Sequence, residues 1–154
     1  MTISIVTVTR DCVRTLPLTL ASVAGQTYSH REHILIDGAS LDGTLEVVGQ
    51  HRGQLDTVVS ETDLGIYDAL NKGISHATGD VIALLHGDDV YPHRDVLARV
   101  AEAFRDPAVE VAYGDLNYVG AERPDHIVRH WVSGSFTRAK LRRASGSIIA
   151  WPPY

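Results

Sequence analysis

Strand-like and helix-like segments alternate along the first 113 residues, and this alternation constrains the fold more than any other feature of the chain. The strand-like segments are short, apolar and rich in β-branched residues, whereas apolar residues recur every three or four positions in the segments between them. Such alternation predicts an α/β fold in which helices flank a mostly parallel sheet. The predicted strands are residues 3–8, 33–36, 55–59, 81–85 and 109–113, and the predicted helices are residues 13–23, 42–50, 66–77 and 96–104.

Two further expectations follow from this pattern. The wholly apolar segment 81–85 is typical of a strand in the middle of a sheet. Thr15 is placed to cap the first helix, with Pro17 in its first turn, and Asp42 is placed to cap the second.

The pattern weakens after Gly114. A strand over 127–132 and a short helix over 137–143 are predicted there, and residues 144–154 predict no element. A chain of 154 residues has the length of one domain, and no segment has the composition of a linker. We therefore predict a single domain with its core over residues 1–120 and a less complete segment over 121–154.

The formal net charge of −5 argues against nucleic-acid binding. Residues 123–143 nevertheless contain six Lys or Arg and a single Asp. The favoured interpretation of this basic run is a solvent-exposed face. The alternative is a surface that contacts an anionic acceptor or the inner membrane face. Cys12 is the only cysteine, and no apolar run is long enough to span a bilayer. We predict a cytoplasmic protein, with peripheral membrane contact as an open alternative.

Acidic residues follow three consecutive predicted strands, and all three strands end at the same edge of the sheet. Asp37 ends the second strand, Asp63 follows the third, and Asp88 and Asp89 follow the fourth. Ligands of open parallel sheets bind at this edge. Because carboxylates gathered at one place repel one another, we expect them to surround one cation and one diphosphate.

Asp88 and Asp89 are the strongest candidates for metal binding. Two adjacent carboxylates after a glycine and a buried strand suit Mg2+ or Mn2+, which prefer oxygen ligands and often bridge to phosphates. The alternative is a polar turn that caps the next helix. For the other polar residues at this edge, Asp37 is placed to accept a hydrogen bond from a base or ribose, and Lys72 is placed to reach a diphosphate or is simply a surface lysine.

Several nucleotide-binding and hydrolytic classes are excluded by missing motifs. The turn after the first strand, residues 9–12, contains no glycine, so the dinucleotide fingerprint is absent. The sequence contains neither a Gly-rich loop ending in Lys-Ser or Lys-Thr nor a Gly-x-Ser-x-Gly motif.

Taken in order, the motifs resemble family 2 glycosyltransferases, and within them the bacterial branch that builds exopolysaccharide, colanic-acid-type or O-antigen chains. The resemblance covers residues 3–118 and rests on several motifs in the family's order. These motifs are Ile-Val-Thr-Val-Thr-Arg at 5–10, Ser-Val-Ala-Gly-Gln-Thr-Tyr at 22–28, Ile-Asp-Gly-Ala-Ser-Leu-Asp-Gly-Thr at 36–44, Ser-Glu-Thr-Asp-Leu-Gly-Ile-Tyr-Asp-Ala-Leu-Asn-Lys-Gly at 60–73 and Leu-His-Gly-Asp-Asp at 85–89.

The resemblance implies a GT-A fold, which is Rossmann-like, and inverting transfer of a sugar from a nucleotide-diphosphate sugar to a glycan or lipid-linked acceptor. The pathway implied is cell-surface polysaccharide biosynthesis. By position, Thr7 and Thr9 line the nucleotide site and Asp37 contacts the base. Asp63 lies along the nucleotide or sugar, Asp88 contacts the ribose region and Asp89 binds the metal. Here the family's Asp-x-Asp motif reads Gly-Asp-Asp.

The resemblance also implies a carboxylate base on the acceptor side, after the metal motif. From about residue 144 the sequence departs from the family, so we expect a C-terminally truncated chain in which 121–154 is an incomplete acceptor-side segment. Asp115 is a weak substitute candidate for the base. The alternatives are a catalytically inactive donor-binding fragment and a nucleotidyltransferase, which would need a Gly-rich basic loop that residues 9–11 do not supply.

Overall fold

The computed structural model describes residues 1–120 and 123–134, with the side chains of 123–125 excepted. The chain divides into two compact units, Met1–Glu110 and Val111–Tyr154. The predicted helix over 137–143 and most of the basic run lie outside the described residues. The domain boundary predicted after residue 120 remains a prediction, although the division between the units falls ten residues earlier. No helix among the described residues combines the length and apolarity that crossing a bilayer requires.

The first unit is built on a four-stranded, entirely parallel sheet. Its strands are β1 (Ile3–Thr9), β2 (Arg31–Asp37), β3 (Thr57–Ser60) and β4 (Val81–His86), arranged in the order β3-β2-β1-β4. The four helices between and after them are α1 (Leu16–Ala24), α2 (Thr44–Gln50), α3 (Ile66–His76) and α4 (Val96–Ala103). The α/β fold with a mostly parallel sheet is therefore confirmed.

The two faces of β1 bury different side chains, as the period of two in a strand requires. Val6 and Val8 pack with Ile34, Ile36 and Ala69 on the side that α3 covers. On the other side Ile3 and Ile5 pack with Val23 of α1, Leu85 of β4 and Leu97 of α4. A third cluster joins α1 and α2 to β2. Because both faces are covered, β1 is buried along its whole length and β2 over its last five residues, without alternation.

Helix α3 approaches the sheet most closely at Gly73. A Cβ atom at this position would lie 2.3 Å from a methyl carbon of Val6 and 3.3 Å from a side-chain carbon of Ile36. The absence of a side chain therefore sets the distance between α3 and the sheet.

Two expectations about strands are wrong. Residues 109–113 do not form a strand, and Val111 and Tyr113 are exposed. Their β-branched and aromatic composition favours extended structure, but a strand also needs a hydrogen-bonding partner, and no described residue provides one. Strand β4 lies at the edge of the four described strands, not in the middle, which leaves Ile82 and Leu84 42% and 51% exposed.

The second unit contains an antiparallel pair, β5 (Leu116–Gly120) and β6 (Arg123–Trp131). The register pairs Leu116 with Trp131 and Asn117 with His130, and it shifts after Tyr118. The strand predicted over 127–132 is confirmed as the second half of β6.

Candidate functional site

The carboxyl ends of the strands meet at one level of the sheet. Thr9 at the end of β1 is in register with Asp37 at the end of β2, and Asp37 is in register with Ser60 at the end of β3. Beyond the strands the ladder continues, with the N–H groups of Gly38, Glu61 and Gly87 donating to carbonyls at 2.9–3.0 Å. The three loops that carry the predicted acidic residues therefore begin side by side.

Asp37 is fully buried, and its carboxylate is occupied within the protein. One oxygen accepts hydrogen bonds from the backbone N–H of Ser40 at 3.0 Å and from the hydroxyl of Ser60 at 2.7 Å. The other oxygen accepts a short hydrogen bond from the hydroxyl of Ser40. Asp37 thus joins the loop after β2 to the end of β3, and its predicted contact with a base remains a prediction.

The loops after β1 and β2 are joined by reciprocal hydrogen bonds. The N–H of Asp11 donates to the hydroxyl of Ser40 at 2.8 Å, and the N–H of Leu41 donates to the carboxylate of Asp11 at 3.0 Å. Asp11 and Ala39 both adopt left-handed backbone conformations, with φ of 52° and 58°. Non-glycine residues seldom adopt this conformation unless neighbouring contacts hold them, and such strain clusters at ligand-binding sites.

Asp63 lies against the backbone of Gly38. A Cβ atom at residue 38 would be 2.5 Å from a carboxylate oxygen of Asp63 and 3.3 Å from Cδ of Arg10. The other Asp63 oxygen accepts the N–H of Gly65 at 2.9 Å. Asp63 is half-buried. Because residue 38 is a glycine, the carboxylate of Asp63 and the side chain of Arg10, which come from two different loops, can both lie against its backbone beyond the end of β2.

Lys72 forms a small ion-pair network at the start of α3. Its ammonium group lies 2.9 Å from Glu61 and 3.3 Å from Asp68, and it donates to the carbonyl of Thr62 at 2.9 Å. The hydrogen bond to Glu61 is the main reason that the pKa of Lys72 is raised. Lys72 therefore carries its charge beside the loop that holds Asp63, and its contact with a diphosphate remains a prediction.

Asp88 and Asp89 form an exposed turn directly after β4. The pKa of Asp89 is raised, first because neighbouring protein atoms displace part of its solvation and second because of the negative charge of Asp88, whereas His86 acts in the opposite direction. A bound cation would relieve the repulsion between two such carboxylates. Hard oxygen ligands that keep room for water and phosphate oxygens fit Mg2+ or Mn2+.

Thr7 and Thr9 are both buried. The hydroxyl of Thr7 lies 2.9 Å from Nε2 of His33, within the sheet. The hydroxyl of Thr9 has no hydrogen-bond partner among the described residues and lies under Gly87, where a Cβ atom would be only 2.7 Å from it. Thr9 is therefore at the expected edge, whereas Thr7 lies two residues deeper in β1.

The convergence of Asp37, Asp63 and Asp89 around one cation and one diphosphate remains a prediction. The described residues contain no group of three His, Cys, Asp or Glu side chains able to hold a metal ion. Both oxygens of Asp37 accept hydrogen bonds from serines. The candidate metal ligands are therefore the adjacent pair Asp88 and Asp89.

Asp115 lies in the second unit. Its carboxylate accepts hydrogen bonds from both the N–H and the hydroxyl of Ser133 at 2.9 Å, and these bonds lower its pKa. A lowered pKa makes a carboxylate a weaker proton acceptor, and its role as a base remains a prediction.

The sequence did not predict the contacts of Ser40 and Ser60 with Asp37. Nor did it predict that the hydroxyls of Thr15 and Thr19 bind the carbonyl of Gly87, at 2.9 and 3.1 Å. Thr15 lies at the N-cap position of α1 as predicted, but its hydroxyl forms no capping bond. The signal available for the two threonines was their spacing of four residues, which places them on one helical face.

Comparison with known proteins identifies the family. Residues 4–152 match the family described as Glycosyl transferase family 2. The chain belongs to this family, as the order of motifs from β1 to the Asp88–Asp89 turn implied.

Curated relatives of the chain are named as glycosyltransferases. A glycosyltransferase of PGL/p-HBAD biosynthesis from Mycobacterium bovis is 36% identical over 118 residues, which are 73% of this chain and 46% of that protein. The glycosyltransferase EpsE of Bacillus subtilis is 38% identical over 89 residues, which are 54% of this chain and 32% of that protein. The chain thus spans about half the length of the first of these relatives.

Solved structures share the GT-A fold. The mannosyltransferase PcManGT from Pyrobaculum calidifontis, solved with GDP-Man and Mn2+, has a TM-score of 0.65 and 27% identity, covering 76% of this chain and 35% of that one. TarS of Staphylococcus aureus, solved with UDP-GlcNAc, has a TM-score of 0.64 and 22% identity, covering 69% of this chain and 32% of that one.

Proposed function

We propose that the chain binds a nucleotide-diphosphate sugar at the carboxyl edge of its sheet, and that the protein transfers the sugar with inversion to a glycan or lipid-linked acceptor in cell-surface polysaccharide biosynthesis. The observation that carries the proposal is the exposed Asp88–Asp89 turn, which begins level with the loop that bears Asp63 and leads into α3, the helix of Lys72. The mannosyltransferase of Pyrobaculum calidifontis, with GDP-Man and Mn2+ bound, supports it.

The described side chains at this edge have different roles in the proposal, which follow from their charge and exposure. Asp89 holds Mg2+ or Mn2+, with Asp88 beside it toward the ribose. When bound, the cation supplies positive charge to the departing diphosphate. Lys72 adds a second positive charge toward the phosphates, because a lysine is protonated at neutral pH.

Asp37 acts indirectly in this proposal. Because Ser40 and Ser60 occupy its carboxylate, Asp37 shapes the loop of residues 38–40 that faces the nucleotide. Asp63 keeps one oxygen directed over Gly38, so it is the better placed of the two carboxylates to meet the nucleotide or sugar. Thr9 lies below the same loops, beneath Gly87.

The acceptor hydroxyl must lose its proton to a base when it attacks the sugar. Asp115 is the candidate, although the hydrogen bonds from Ser133 reduce its basicity. We further propose a cytoplasmic location and peripheral contact with the inner membrane face, which the single cysteine and the basic residues of 123–143 support.

The test is titration calorimetry with UDP-, GDP- and dTDP-sugars, with and without Mn2+, followed by a transfer assay with the donor that binds. Metal-dependent binding of one donor, with turnover, supports the whole proposal. Binding without turnover would reduce the chain to a donor-binding fragment. If no donor binds under any condition, the proposal is wrong.

A further inference from the structure

Helix α1 carries a row of polar side chains along one face. Thr15, Thr19, Ser22 and Gln26 are separated by four, three and four residues, so they project from the same side of the helix. Thr19 and Gln26 are buried, and the other two are half-buried. Buried polar groups are costly unless they are hydrogen-bonded, so the partners of this polar row indicate its purpose.

Each of the four side chains has a partner among the backbone groups of the segment that follows β4, and Thr15, Ser22 and Gln26 also donate to nearby carbonyls of Cys12, Thr19 and Ser22. The hydroxyls of Thr15 and Thr19 both donate to the carbonyl of Gly87, at 2.9 and 3.1 Å. Further along, the N–H of Tyr91 donates to the hydroxyl of Ser22 at 3.1 Å. The side-chain amide of Gln26 donates to the carbonyl of His93 at 2.7 Å and accepts the N–H of Leu97 at 3.0 Å. Side chains of helix α1 and of the residues at its two ends thus hold the backbone of residues 87–97 in place.

Gly87 is held in place by several contacts at once. Its N–H donates to the carbonyl of Val8 at 2.9 Å, its carbonyl accepts the two threonine hydroxyls, and its α-carbon lies against Thr9 with no room for a side chain. The next two residues are Asp88 and Asp89, and the N–H of Asp89 closes the turn onto the carbonyl of His86 at 3.0 Å. The turn is therefore fixed at its first residue.

We infer that Thr15 and Thr19 are positioning residues, which set the orientation of the Asp88–Asp89 carboxylates toward the metal through the carbonyl of Gly87. This inference rests on the proposed function. A carbonyl that accepts two hydroxyls cannot rotate without breaking both bonds, and rotation of that peptide would turn the following aspartates. Because Thr19 is fully buried, water does not replace its hydrogen bond when the turn moves.

The experiment compares Thr19→Val, which keeps the shape and removes the hydroxyl, with Thr19→Ser, which keeps the hydroxyl. Ser22→Ala is the matched control, because it removes a hydrogen bond of the same row beyond the two aspartates. Thr15→Val gives an independent second variant should Thr19→Val fold poorly. Two quantities are measured in the full chain: the hydrogen-exchange rate of the Asp89 amide without metal, and Mn2+ affinity from the electron paramagnetic resonance signal of free Mn2+, with and without UDP or GDP.

Thr19→Val should speed exchange of the Asp89 amide and weaken Mn2+ binding about three- to tenfold, as expected for one lost buried hydrogen bond. Thr19→Ser should restore both values. Ser22→Ala should speed exchange at Tyr91 while leaving the Asp89 amide and Mn2+ affinity unchanged.

The inference is overturned if Thr19→Val behaves like Ser22→Ala in both measurements, or if Thr19→Ser fails to restore them. If the wild-type chain binds no Mn2+ even with UDP and GDP, the metal part of the proposed function fails and the role of the threonines in orienting metal ligands fails with it. In that case the exchange rate of Asp89 still shows whether Thr19 holds the turn.

Discussion

Asp37 at the end of β2 accepts a hydrogen bond of 2.7 Å from Ser60 at the end of β3. The same carboxylate also accepts two hydrogen bonds from Ser40, so a residue that the sequence placed against a nucleotide base is engaged in joining two loops. Its effect on donor binding is therefore expected to pass through those loops.

Replacement of Asp37 tests this indirect role. Asp37→Ala leaves the buried N–H of Ser40 without its acceptor and should cost about 3 kcal/mol of unfolding free energy. It should also weaken the binding of UDP and the binding of GDP, and the loss of affinity should be equal for the two nucleotides. Asp37→Asn should have a smaller effect on both, because the amide oxygen can still accept from the N–H of Ser40 and the hydroxyl of Ser60, whereas the hydroxyl proton of Ser40 loses its acceptor. A change in preference between uracil and guanine in Asp37→Asn would indicate direct contact with the base instead.

His33 makes the stability of the first unit depend on pH. Burial lowers its pKa from 6.5 to about 4, although Asp56 opposes the shift. Below pH 6.5 the unfolded chain therefore binds a proton that the folded chain does not, and stability falls as the pH decreases toward 4. We expect a loss on the order of 3 kcal/mol over this range from His33 alone.

The measurement is the free energy of unfolding from urea titrations at a series of pH values. His33→Gln should reduce the slope between pH 6.5 and 4, whereas His76→Gln, at an exposed position of α3, should retain the wild-type slope. Equal slopes in all three proteins would show that His33 is accessible to protons in the folded state.

Gly73 and Gly49 are a matched pair of helical glycines with opposite expected effects. Gly73→Ala should destabilise the chain by about 1–3 kcal/mol, because its Cβ would overlap Val6. Gly49→Ala in α2 has nothing within 4 Å of its Cβ, and it should stabilise the chain by about 0.5–1 kcal/mol through helix propensity. Thermal unfolding of both variants provides the comparison, and a stabilised Gly73→Ala would mean that α3 lies farther from the sheet.

Lys72 should contribute to the binding of phosphate groups and not to the binding of nucleosides. Lys72→Met removes the charge while keeping the length of the side chain, so it should weaken UDP or GDP binding and leave uridine or guanosine binding unchanged. Because its ion pairs are partly exposed, its loss should leave the free energy of unfolding nearly unchanged. Arg105→Gln, which removes an exposed charge from the end of α4, is the control. If Lys72→Met binds the diphosphates as tightly as the wild type does, Lys72 only forms ion pairs at the surface.

The sequence predicted the sheet well because β1 and most of β2 are buried runs whose composition records their environment. It failed for residues 109–113 and for the position of β4, since whether an apolar segment pairs, and on which side, depends on neighbours distant in the chain. The site shows the same limit. The acidic residues at strand ends are visible as a pattern, but the direction of a carboxylate is not, and Asp37 faces Ser40 and Ser60 while Asp89 faces solvent.

The most direct test of the account is the dependence of donor binding on Mn2+ in the wild-type chain and in Asp89→Ala, measured by calorimetry beside Glu110→Gln, which removes an exposed acid at the end of the first unit. We predict that Mn2+ strengthens donor binding in the wild type and in Glu110→Gln. In Asp89→Ala the affinities with and without Mn2+ should become equal, with an unchanged melting temperature, because Asp89 lies on an exposed turn. An Asp89→Ala protein that still binds the donor more tightly with Mn2+, as the wild type does, would contradict the assignment of the metal site.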